Sequence, residues 1–186
     1  MAEAYPILLA GQRITASLLS SMQAQVARKT SDTSRSATTT TTADPHLQFE
    51  VVTNAVYIMD GWIKYDGPTA ADMNIDFTAP SGSLGEWTAL AVGHSPVIGS
   101  SNAPALIIDT QDARGYMIRT ESNDVASARS FGTLGTGNVP ITMHMKATLR
   151  TSTTAGTYSL DWAQFASNAT ACTLYTDSWL RLLRVA

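Results

Sequence analysis

The feature that most limits what this chain can become is a change of hydrophobic period at Leu47. From there to the C-terminus apolar residues recur at every second position, the spacing of strands with one buried face. In "LQFEV", Leu47, Phe49 and Val51 alternate with polar residues, and "AVYIMDGWIKYDG" continues as a long strand up to the turn signal Asp66-Gly67-Pro68. "DMNIDFTAP" sets Met73, Ile75 and Phe77 against Asp72, Asn74 and Asp76, so these two runs are expected to form a hairpin. "GEWTALAVG", "PALIIDT" and "RGYMIRT" add strands, and in "PITMHMKATLR" Ile141, Met143, Met145, Ala147 and Leu149 oppose Thr142, His144, Lys146, Thr148 and Arg150. "GTYSLDWAQFA" is expected to pair with that run across "TSTTAG". The closing "SWLRLLRVA" is apolar on both sides and reads as a central strand. About eight to ten strands with no helix between them predict a mainly β chain, an antiparallel β-sandwich or jelly roll.

Ahead of that body the period is helical. Leu18, Leu19, Met22 and Val26 lie on one stripe, and Thr15 or Ser17 can supply the N-cap oxygen. A helix of about 14 residues, roughly 20 Å, is marginal in water unless the stripe is covered. Residues 1–30 therefore read as an anchoring or oligomerising segment with a short N-terminal α-helix, and residues 31–186 as the β domain. Thr38 to Thr42 are five consecutive threonines. β-Branched residues without glycine favour extended backbone, so the run is expected to be an edge strand with its hydroxyls in water in preference to a solvated lead-in.

Composition excludes several roles. With 186 residues the chain suffices for one cored domain and an appendage; with 15% charged residues and a net charge of -3 it has no basic field to hold nucleic acid. "MAEAYPILLAGQR" has only a short apolar patch with no basic residues before it, so neither a secretory signal nor membrane insertion is expected, and the mature chain is expected to start near Met1. Cys172 is the single cysteine and reads as core.

No motif carries chemistry, so no enzyme, catalytic residue, metal or cofactor is expected. "DMNID" opens like a calcium loop, but Phe77 and Ser83 stand where glycine and glutamate are required. His46, His94 and His144 lack ligand spacing. No G-x-S-x-G elbow occurs, and "FGTLGTGN" lacks the lysine and helix of a phosphate cradle. Asp60 and Asp161 sit in aromatic strands, where wet faces or local hydrogen bonds explain them better than a facing glycosidase pair. Of Trp62, Trp87, Trp162 and Trp179, core packing suits Trp162 and Trp179, and Trp87, near a turn, is the best candidate for an exposed surface-binding ring.

"AGQRITASLLSSM" with "ARKTSDTSRS", "NAVYIMDGWIKYDG", "DFTAPSG" with "WTAL", "AGTYSLDWAQ" and "SWLRLLRV" resemble a recurrent protein of actinobacterial, Streptomyces-type, phages and prophages, described as a minor tail, tail-fibre or other virion structural protein. The β half is similar in layout to C1q/TNF-like jelly rolls. The resemblance implies a homotrimer assembled into virions in the host cytoplasm. It would be attached to other tail or capsid proteins by its N-terminal segment and would present loops at Trp87 to Ala103, Asp109 to Tyr116 and Glu121 to Asn138 to a host-surface glycan or protein. A capsid decoration or head-fibre protein, or a carbohydrate-binding module, are the alternatives.

Overall fold

The structure is a computed structural model that describes residues 5–6, 8–91, 97–98, 107–108, 116–122, 125–126, 128–136 and 140–186. Its elements are α1 (Ala16–Ser21), β1 (Gln25–Arg28), β2 (Thr33–Arg35), β3 (Thr42–Val51), β4 (Val56–Asp66), β5 (Met73–Thr78), β6 (Leu84–Leu90), β7 (Val97–Ile98), β8 (Ile107–Ile108), β9 (Tyr116–Ser122), β10 (Arg129–Phe131), β11 (Ile141–Arg150), β12 (Gly156–Gln164), β13 (Cys172–Leu174) and β14 (Trp179–Arg184). The larger sheet runs β1-β14-β4-β11-β6-β9, with β13 joining β4 to β2; the smaller runs β10-β5-β12-β3; every pairing is antiparallel. The chain is a mainly β antiparallel sandwich. With β1, β3, β4, β5, β10, β11, β12 and β14 lettered A to H, the sheets read A-H-C-F and B-G-D-E, the strand order of a jelly roll. β6 and β9 extend the larger sheet beyond β11.

The inward residues are the alternating ones. Tyr57, Met59, Ile63 and Tyr65 from β4, Met143, Met145 and Leu149 from β11, and Leu180 and Leu182 from β14 meet Leu47, Phe49, Met73, Ile75, Phe77, Tyr158, Leu160 and Trp162 of the smaller sheet in one core. Phe77 stacks on Tyr158 with centroids 5.2 Å apart. At Gly61, opposite Leu180, an added Cβ would fall 2.3 Å from Leu180 Cδ2 and 2.9 Å from the Trp179 carbonyl oxygen, so this close approach requires glycine.

Both expected hairpins are corrected. β4 and β5 lie in different sheets, as do β11 and β12. Turn residues reverse a chain without deciding whether the next strand pairs beside the last or packs across from it. Here each strand's apolar face is covered best by the opposite sheet. Buried side chains hold the corners: Asp72 Oδ1 accepts from Thr133 N at 2.9 Å, and Thr151 Oγ1 accepts from Ala55 N at 2.9 Å and donates to the Val52 carbonyl at 2.7 Å.

The helix is also shorter than expected. α1 spans six residues, with Thr15 Oγ1 accepting from Leu18 N at 3.2 Å as its cap, and buries none of them. Val26 leaves the stripe: it lies in β1, opposite Arg181 of β14. Short helices propagate weakly, and pairing with a formed strand prevails. Strand pairing thus begins at Gln25 and Lys29 is fully buried, so residues 25–29 are built into the sandwich rather than standing apart in the N-terminal segment. The threonine run is not a strand over most of its length. Thr38 to Thr41 form an irregular link, tied by Gln164 N to the Thr38 carbonyl at 3.2 Å, and β3 starts at Thr42. β3 is indeed an edge strand.

Burial raises four acidic groups. It holds the Tyr65 and Tyr158 hydroxyls protonated well above the ordinary phenol range and pushes the Cys172 thiol up to about 11; burial, then the hydrogen bond to Asp66, lifts Tyr175 to about 12. Raised folded-state values mean that the native chain binds more protons than the unfolded one at high pH. Their stabilisation is full below the unfolded thiol value of 9.0 and is lost as pH rises through the folded values. Urea midpoints are expected to hold steady to about pH 9 and to fall progressively above it.

Candidate interaction face

Cross-strand register defines the outer face of the larger sheet. One row runs Arg28, Trp179, Trp62, His144, Leu90; the next Val26, Arg181, Asp60, Lys146, Thr88; a third Leu183, Ile58, Thr148, Glu86. Val26, Ile58 and Leu90 are 64%, 46% and 54% exposed, and Trp62, Trp179 and Leu183 are half-buried. The apolar side chains flank a charged stripe in which Arg181 grips Asp60 with two bonds, Nε to Oδ1 at 2.9 Å and Nη2 to Oδ2 at 3.1 Å. Lys64 Nζ lies 5.6 Å from the Trp62 ring centroid. Two adjoining shallow grooves, about 680 and 600 Å³, cross this face.

The expected site residues separate. Trp87, expected on the surface, is 4% exposed in the core, its ring edge-on to Phe77 at 5.4 Å and tilted against Phe131 at 6.2 Å. Alternation along β6 sends Gly85, Trp87 and Ala89 inward and Glu86, Thr88 and Leu90 outward, a pattern that overrides the nearby turn. Trp62 and Trp179, directly paired across β4 and β14, are the tryptophans that reach the outer face. The signal for them was present: Trp62 shares the strand parity of the charged Asp60 and Lys64, and Trp179 that of Arg181, which places both rings on the outer face in place of the core position expected for Trp179. Leu18 is half-buried and Leu19 and Met22 are exposed, on the helix; Val26 joins the outer face by way of β1. His94 and most of the expected contact loops, including residues 99–103, 109–115, 123–124 and 137–138, lie outside the described residues.

Asp60 and Asp161 do not face one another. Asp161 is buried in the smaller sheet, accepting from Thr78 Oγ1 at 2.7 Å and Ser159 Oγ at 2.6 Å. Asp72 of the "DMNID" segment serves the corner described above. Among the described residues no three His, Cys, Asp or Glu gather to hold a metal, and no helix is long and apolar enough to cross a membrane.

A second polar cluster lies inside the sandwich edge. Lys29 and Asp44 are fully buried, with Nζ 2.6 Å from Oδ2; Lys29 Nζ also donates to Thr33 Oγ1 at 2.9 Å, and Trp162 Nε1 donates to Asp44 Oδ2 at 3.2 Å. Asp44 sits in a bulge of β3 opposite the register shift in β12, where Pro45 is tolerated because the strand is an edge. Its Oδ1 accepts from His46 N at 2.9 Å, and His46 Nδ1 lies 3.9 Å away, buried and without a hydrogen-bond partner among the described residues. Arg35 stacks over Trp162, 4.2 Å from the ring centroid.

No family model and no curated protein matches the chain. Among solved structures, similarity is found to the infectious bursal disease virus VP2 subviral particle, at 9% identity and a TM-score of 0.20, covering 87% of this chain and 41% of that one. The Gt strain of the same virus matches at 7% identity and a TM-score of 0.21, covering 87% and 40%. The chain spans about two fifths of the length of these structures, and likeness this slight carries no argument.

Proposed function

We propose that this chain is a non-enzymatic structural subunit of a virus particle, a homotrimeric appendage of minor tail or tail-fibre type. The observation that carries the reading is the outer face of the larger sheet: paired tryptophans, Val26, Ile58 and Leu90 flank a stripe of both charges. Apolar area with interspersed charge suits a fixed, close contact between identical copies. The segment before Gln25, with Leu19 and Met22 exposed on α1, docks on another virion protein, and loops of the β domain contact the host surface.

The reading is tested by measuring the solution mass of the full chain and of an Ile58→Lys, Leu90→Lys double variant by sedimentation. Both substitutions are on the wet side of their strands, so the fold persists. The parent chain is expected to sediment as a trimer and the variant as a monomer. A monomeric parent, or a trimer indifferent to both lysines, overturns the proposal. The Trp62 and Trp179 pair beside His144 favours one other reading: in a monomer whose tryptophan fluorescence responds to glycans, the same face would be a sugar platform.

A further inference from the structure

The geometry points to a covalent modification site inside the sandwich: an isopeptide bond between Lys29 Nζ and Asp44 Cγ, formed with loss of one water and assisted by His46. This goes beyond the proposed virion role and does not depend on it.

Three observations converge. First, a primary amine and a carboxyl are held in hydrogen-bond contact at 2.6 Å with both side chains fully buried. Holding the amine against the carboxyl makes the reaction intramolecular, which removes the cost of bringing the two groups together. Amide formation needs a free nitrogen lone pair and a protonated leaving oxygen, and proton transfer from the amine to the carboxyl it touches supplies both. Second, the two carboxyl oxygens have different surroundings suited to different fates. Oδ2 receives the Trp162 indole N–H, which can stabilise charge developing on that oxygen. Oδ1 faces His46, whose buried Nδ1 lacks any other partner among the described residues. An approach of about 1 Å brings Nδ1 into hydrogen-bond range of Oδ1. Third, the product would be satisfied where it lies: the new amide N–H keeps Thr33 Oγ1 as acceptor, and the remaining carbonyl keeps the Trp162 donor. A buried ion pair, in contrast, is seldom more stable than an apolar pair of its size.

The step balances without redox chemistry or a co-reactant. The ammonium gives up one proton, which reaches Oδ1. The freed nitrogen lone pair attacks Cγ, giving a tetrahedral centre with negative charge on Oδ2 beside the indole. A second proton passes from nitrogen to Oδ1 through the His46 imidazole, which ends as it began. The Cγ–Oδ1 bond breaks, water departs, and the third ammonium proton stays on the amide nitrogen. Lys29 directly follows β1 of the larger sheet and Asp44 belongs to β3 of the smaller, so the bond staples the sheets together. It stands just after β1, and a pull on the N-terminal segment would pass through it into both sheets.

Intact-mass spectrometry of the purified full chain tests this directly. The expected mass is one water below that of the sequence, with a branched proteolytic peptide joining the Lys29 segment to the Asp44 segment. Lys29→Met and Asp44→Ala chains are expected at full mass, and His46→Ala is expected to convert more slowly after refolding. A folded parent chain at full sequence mass overturns the proposal whatever the variants do. So does a water loss that persists in Lys29→Met, or one mapped to another peptide. Unchanged conversion in His46→Ala removes the relay role.

Discussion

Replacing Asp44 by alanine is expected to cost about 3–5 kcal/mol of folding stability, the usual penalty for stranding one member of a buried charge pair. The substitution leaves the Lys29 ammonium fully buried with only Thr33 Oγ1 to accept from it, and strips both Trp162 Nε1 and His46 N of their acceptor. Against a typical total of about 5–15 kcal/mol, the variant stands near the edge of folding. Removing both charges together, in Lys29→Met with Asp44→Leu, is expected to recover much of the loss, because no stranded charge remains. Recovery stays partial, since the bulge at Pro45 loses the Asp44 side chain that shapes it. A covalent tie in the parent chain enlarges the gap further by closing a loop in its unfolded state. Urea unfolding of the three chains measures these differences; a loss below about 1 kcal/mol for Asp44→Ala would mean that the pair is hydrated in solution.

Faces were legible in the sequence, and partners were not. The inward sets of β4, β5 and β11 follow from alternation alone, because a period of two is a local property; β14 is the central strand its sequence suggested, but only Leu180 and Leu182 are buried, and Trp179, Arg181 and Leu183 face outward. Whether β4 pairs with β5 or packs across from it depends on contacts between strands far apart in sequence, which turn residues do not encode. Val26 fits a helical stripe and an alternating strand equally well over so few residues, and only the presence of β14 decides between them. The Lys29 and Asp44 cluster left one trace: Pro45 within an alternating run, the mark of a bulge at an edge. Nothing local to "ARKTSD" says that its lysine turns inward.

Trp87 and Trp62 test the division between core and interaction face, because their substitutions are expected to affect different measurements. Trp87→Ala opens a cavity against Phe77 and Phe131, and losses for buried aromatic rings run to about 3–5 kcal/mol. The lower end is expected here. Trp87 Nε1 is buried without a hydrogen-bond partner among the described residues, and its removal relieves a desolvation cost of about 1–3 kcal/mol. For the same reason Trp87→Phe, which keeps most of the ring and loses the N–H, is expected to be close to neutral. Trp62→Ala should change monomer stability by about 1 kcal/mol or less, since the indole is only half-buried on the outer face, with the Lys64 ammonium near its ring, yet it should weaken the trimer. Urea unfolding and sedimentation of the same three variants separate the effects. A Trp87→Ala chain of unchanged stability that no longer binds its target would return that ring to the surface, and a Trp62→Ala chain that assembles normally would move the subunit contact off this sheet.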